Sequence, residues 1–257
     1  MFDIGQAPKF VALAQRVFAE NGLETTYDGG CLRGSDGQLF GLTNVGHLAA
    51  TVRERQWRRV LEGHVLGLLA ANATPKERDF DKVRDRVFLR LWAAEDLSFG
   101  PDCHLGFGEG LAGLVSIDHP KYVETLTRTD DVETLGGWDL VSRTAVRNLA
   151  RLTATRSWQE GTHGQVLASI GGFFNASRVL SLPHLLKQDF LVEPPSDGVL
   201  FAVPNRHLVL LHPLDAPGRD EATRVIAEIA HHEYDMAGGI SPDLWCWDNG
   251  VVTRVDR

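Results

Sequence analysis

GVLFAVPNRHLVLLHPL, residues 198–214, sets two apolar, β-branched runs on either side of Pro204-Asn205-Arg206-His207. Two strands joined by a tight connection have this appearance, and asparagine suits the tip because it tolerates the left-handed conformation of tight turns. Outward from the hairpin, Glu221–Tyr234 reads as a helix with Val225, Ile226 and Ile229 turned inward. The segment ISPDLWCWDNGVVTRV (240–255) reads as a further strand pair. The C-terminal half is therefore expected to be a sheet with a helix packed against it.

Towards the N-terminus, a helix carrying Phe10, Leu13, Ala14 and Val17 starts near Pro8 and stops at Asn21-Gly22. Short strands broken by Gly-Gly and Ser-Asp-Gly turns follow, and one long helix is expected over Val45–Leu69. Polar Ala71–Asp81 is the best linker. Beyond it, Arg86–Ala93, Leu114–Ile117 and Gln165–Ile170 read as strands. Val132–Leu152 contains a helix, with Leu140, Val141, Ala145, Leu149 and Leu152 on one stripe. Asn175–Leu186 reads as another helix, which Pro183 should bend or end. Strands and helices alternate irregularly, which favours α+β over a doubly wound sheet. The expected architecture is a mixed, largely antiparallel sheet packed by helices, with an N-terminal helix–hairpin–helix lobe. Residues 1–72 form that lobe and 82–257 the main domain.

With 257 residues, 43% hydrophobic and 23% charged, the chain can bury a substantial core. A net charge of −8 argues against nucleic acid or an anionic membrane as the main partner. The ten basic and six acidic residues of Thr51–Arg90 interleave, as on a solvated, ion-paired face. Cys31, Cys103 and Cys246 are odd in number and never in a CxxC pair, so neither a disulfide framework nor a metal site is expected. Thiols, together with an N-terminus unlike a signal peptide and no apolar run of about 20 residues, point to the cytoplasm.

Three segments together resemble the YtpQ-like family of bacterial proteins, a domain of unknown function. They are FGEGL (Phe107–Leu111) before a strand and YVETL, TAVRNLARL (Thr144–Leu152), and FAVPNRHLVLL (Phe201–Leu211) followed by ISPDLWCW (Ile240–Trp247). The resemblance spans Arg86 to Val255, with a weaker match in the first helix and hairpin. The SFGPDCHLGF loop departs from the usual family pattern. The resemblance implies a mixed fold and no chemistry.

The constellations with chemical potential are incomplete. GEGLAG (108–113) matches G-x-G-x-x-G, but a strand follows it where a dinucleotide site needs a helix, so no cofactor is expected. Ser169 in VLASIGG sits at a strand-to-turn position like a nucleophile elbow, although Leu167 replaces the elbow's glycine. His184, His207 and His232 are its candidate partners. His231 and His232 are adjacent, so they point about 100° apart on a helix and cannot both ligate one metal. His232 and Glu228, four apart, can pair across one turn. Six tryptophans are many for such a chain. Trp57 stands beside Arg58, and Trp245 shares one strand face with Trp247. Arg206, at the rigid hairpin tip, is well presented to an anion or a partner. The expected function is a non-catalytic protein- or ligand-binding module using Trp57, Arg58, Arg206 and Trp245. The alternative is a cytoplasmic hydrolase with a Ser/His or His/carboxylate centre.

Overall fold

The computed structural model describes residues 6–28, 31–35, 39–73, 76–97, 103–120, 122–160, 166–235 and 238–255. The expected Gly-Gly turn at 29–30, much of the Ser-Asp-Gly turn, part of the SFGPDCHLGF loop and Gln165 lie outside them. The fold is α+β, and every strand pair among the described residues is antiparallel. The chain divides into two compact units, Met1–Lys76 with Asp235–Gly238 and Glu77–Tyr234 with Gly239–Arg257.

The first unit runs α1 (Gln6–Glu20), β1 (Thr25–Asp28), β2 (Cys31–Gly34), β3 (Leu39–Gly41), α2 (Thr43–Ala50) and α3 (Trp57–Ala73). Its three strands form a meander in the order β1-β2-β3, one strand more than a hairpin. Phe10, Ala14, Val17 and Phe18 recur at helical spacing on α1 and bury against Leu32, Phe40, Trp57, Leu61 and Val65. The single helix expected over Val45–Leu69 is two. Thr51 turns its hydroxyl back onto the Leu48 carbonyl at 2.8 Å, and Arg53 is extended. The break returns Trp57 to the core, where its indole N–H donates to the Ala49 carbonyl at 2.9 Å.

The second unit holds α4 (Phe80–Val83), β4 (Val87–Ala93), β5 (Leu105–Gly106), β6 (Leu111–Asp118), β7 (Val123–Thr125), α5 (Thr129–Thr134) and α6 (Trp138–Leu149). It continues with β8 (Arg156–Glu160), β9 (Val166–Ile170), a 3-10 segment (Ala176–Ser181), α7 (Leu182–Phe190), β10 (Val199–Asn205) and β11 (Leu208–Pro213). It closes with α8 (Arg219–Tyr234), β12 (Trp245–Asp248) and β13 (Val251–Arg254). The larger sheet has the order β13-β12-β10-β11-β9-β8, so the hairpin of residues 198–214 supplies its two central strands. All thirteen residues of those strands are buried. One face packs Phe201, Val203 and Leu211 against Val179, Leu182 and Leu186. The other packs Leu200, Ala202 and Leu210 under Ala222, Ile226 and Ala230 of α8. Cover on both faces explains why the two runs are continuously apolar and not alternating. Pro204 fits such a central strand because the register shifts between Ala202 and Asn205.

Three helix expectations change. The Gly136–Gly137 pair, both at positive φ, separates α5 from α6, so Val132–Leu152 is not continuous. Leu140, expected inward, is 42% exposed, while Val141, Ala145 and Leu149 are buried. Pro183 opens α7 instead of ending it, since the first helical turn needs no N–H there. Strand β8, RSWQE, has no apolar alternation and was not expected; it is the sheet's edge.

The glycine motif is a turn ahead of β6. Gly108 has φ +67°, and an added Cβ would lie 2.5 Å from the Val252 carbonyl oxygen. Gly108→Ala is expected to destabilise the unit by about 1–3 kcal/mol, read from a denaturant midpoint. An unchanged midpoint would show that the turn rearranges freely.

Candidate functional site

The hairpin tip is held from two sides. The Asn205 carboxamide oxygen accepts the His207 N–H at 3.0 Å, an Asx turn, while its Nδ2 donates to the Glu233 carbonyl at 3.1 Å. Asn205 itself is not at positive φ, so it shapes the turn through its side chain and not through a left-handed backbone. The loop after β9 is stitched alongside. The Gly171 N–H reaches the His207 carbonyl at 3.0 Å, the Ala176 N–H reaches the Arg206 carbonyl at 3.0 Å, and Asn175 Nδ2 donates to the His207 carbonyl at 3.0 Å.

These bonds bring Arg206 to Phe173, with the guanidinium carbon 4.7 Å from the ring centroid. Arg90 of β4 reaches the same ring at 5.0 Å and lies 4.0 Å from the Trp92 ring. The two guanidinium carbons therefore lie within about 10 Å of each other. The Arg206 Nε–H donates to His207 Nε2 at 3.0 Å. That acceptor role leaves the imidazole proton on Nδ1, where it donates to the Gly171 carbonyl at 3.1 Å. Arg90, Trp92, Phe173, Arg206 and His207 are all partly exposed. Among the described residues, neither Arg90 nor Arg206 has a carboxylate within ion-pair distance. Burial pushes the Arg90 pKa down to about 10, helped by the Arg206 charge, and burial lowers that of Arg206 also. Arg90 remains charged at neutral pH. Cation–π contact offsets part of the desolvation but supplies no counter-charge. The arrangement suits an anion.

A second polar cluster has its side chains buried. Arg178 and Asp189 pair through two bonds of 2.7 and 2.8 Å, each side chain only 2% exposed. Ser169, completely buried, donates its hydroxyl to Asp189 at 2.6 Å. Asn175 accepts from Arg178 at 3.2 Å and donates to the Ser169 carbonyl at 2.9 Å. Every member has a partner, as a buried polar network requires.

The structure does not bring the four catalytic candidates together. Ser169 is enclosed with Asp189, Arg178 and Asn175, and no histidine is among its hydrogen-bond partners. His184 is exposed and faces the Ser181 hydroxyl at 3.0 Å. His207 serves Arg206. His232 is exposed on α8, where Glu228 pairs with Arg224 at 2.6 Å. A histidine–carboxylate pair does form between His119 and Glu124 at 3.3 Å, but Arg78 clamps that carboxylate at 2.7 and 3.1 Å. Among the described residues, no three His, Cys, Asp or Glu side chains group to hold a metal ion.

Of the binding candidates, Trp57 and Trp245 are corrected. They are 3% and 1% exposed, and each indole N–H is spent on a carbonyl, of Ala49 and Glu109. Arg58 is exposed, but Glu20 and Glu62 at 2.6 and 2.8 Å neutralise it. Arg206 alone of the four stands in the arginine–aromatic cluster on Phe173. Arg90 and Phe173 were missed. The available signal was one arginine inside the apolar strand VFLRLWA, two residues from a tryptophan and so on its face.

Among the described residues, no helix is long and apolar enough to cross a membrane. No family model matches the chain, and neither does any curated protein or solved structure.

Proposed function

We propose that this chain is a non-catalytic binding module that takes a small anionic ligand at the hairpin tip. The observation that supports it is the pair Arg90 and Arg206, which share the Phe173 ring without a carboxylate partner among the described residues. Two partly buried like charges cost stability unless something offsets them, and a bound anion does so. The acidic net charge of −8 makes selective capture the better use of the site than broad polyanion binding. The YtpQ-like resemblance adds a fold and no chemistry to this reading, and the cysteine usage favours the cytoplasm. The hydrolase alternative draws no support from Ser169, whose hydroxyl is committed to an ion-paired aspartate.

Calorimetric titration of the full chain with inorganic phosphate, acetate and malonate tests the proposal. Saturable binding of at least one anion is expected, weakened at least tenfold in both Arg90→Gln and Arg206→Gln. His207→Ala, which frees the Arg206 side chain, should weaken it several-fold. Absence of saturable binding by any of the three would sink the proposal.

A further inference from the structure

We infer that the ligand of this site is a small-molecule phosphate monoester, bound as its dianion; the inference rests on the anion-binding reading above. The first argument is charge. Two guanidiniums face no carboxylate among the described residues, so a monoanion would leave one partly buried cation uncompensated, whereas a dianion matches both. The mutual repulsion that helps lower the Arg90 pKa is relieved only when both charges are met.

The second argument is the supply of donors. A guanidinium carries five N–H groups, all in its plane. Stacking on a ring occupies a face and leaves those edges unblocked. Arg206 spends one N–H on His207, and Arg90 has no hydrogen-bond acceptor among the described residues. About nine guanidinium N–H groups of the two arginines therefore have no acceptor among the described residues. A carboxylate offers roughly four lone-pair sites in one plane, while the three terminal oxygens of a phosphate monoester offer more and spread them in three dimensions. Two arginines approaching one ring from separate elements, β4 and the β10–β11 turn, suit a tetrahedral group better than a planar one.

The third argument is room. Gly172, next to Phe173, is exposed, and a Cβ there would meet nothing within 4 Å. The ester substituent can leave the site over this open loop.

The test compares methyl phosphate, a dianion at pH 8, with dimethyl phosphate, a monoanion of similar shape, on the full native chain. Malonate, with its charge on two carboxylates, is the carboxylate dianion control and acetate the carboxylate monoanion. Methyl phosphate is expected to bind at least tenfold tighter than each of the other three. Arg90→Gln and Arg206→Gln should each abolish that preference. Dimethyl phosphate or malonate binding as tightly as methyl phosphate would overturn the monoester inference while leaving an anion site. No saturable binding of any of the four, nor of inorganic phosphate, would overturn both. The native-chain comparison needs no variant to fold. Methyl phosphate is expected to bind more tightly than inorganic phosphate, because the ester group is read too; equal affinity would overturn the monoester inference and leave the oxyanion itself as what is recognised. Inorganic phosphate binding more tightly than methyl phosphate would count against a monoester ligand.

Discussion

Arg178→Met is expected to lower the unfolding free energy by about 3–5 kcal/mol, seen as a lower urea midpoint with an unchanged slope. Removing the guanidinium leaves Asp189 at 2% side-chain exposure without its two charged bonds, keeping only the Ser169 hydroxyl. The uncompensated carboxylate carries the cost, not the lost pair as such. The double variant Arg178→Met, Asp189→Leu should therefore recover much of the loss, since a well-packed apolar pair often matches a buried ion pair. Ser169→Ala should cost only about 1 kcal/mol, because the hydroxyl is one neutral donor to a carboxylate that keeps Arg178. A Ser169→Ala effect as large as that of Arg178→Met would contradict this ordering. So would a double variant no better than the single one.

Trp245→Ala is expected to cost about 3–5 kcal/mol, or roughly 6–20 °C in unfolding midpoint for a unit of this size. The ring is 1% exposed, stacks on Phe201 with centroids 5.7 Å apart, and sits in the core between β10 and α7. Its removal leaves a cavity and takes away the indole N–H that meets the Glu109 carbonyl at 3.0 Å. Trp247→Ala, on the same strand face but half-buried, should cost clearly less. Equal losses at the two positions would show that the site collapses around either deletion. The comparison also separates packing from recognition, because a surface tryptophan would change binding and spare the midpoint.

The central hairpin was legible because its signals are local. Continuous apolar runs around Pro-Asn-Arg-His need only neighbouring residues to be read, and so did α1, β4, β6, α8 and the terminal strands. Helix breaks were less so. Gly136-Gly137 announces one plainly, while the break at Thr51–Arg53 depends on Trp57 finding a place in the core eight residues from Ala49. Edge strand β8 lacked a pattern because Trp158 packs against the core while Arg156, Ser157 and Gln159 are exposed.

The sequence by itself determined the α+β class, the hairpin at the heart of the sheet and the presentation of Arg206 at its tip. All of these follow from short-range periodicity and turn chemistry. Only the tertiary structure decided which groups meet. It enclosed Ser169 with Asp189, twenty residues away, spent Trp57 and Trp245 on the core, and set Arg90 and Arg206 on one phenylalanine ring. Such meetings depend on strand order and loop docking across more than a hundred residues, and no local spacing encodes them.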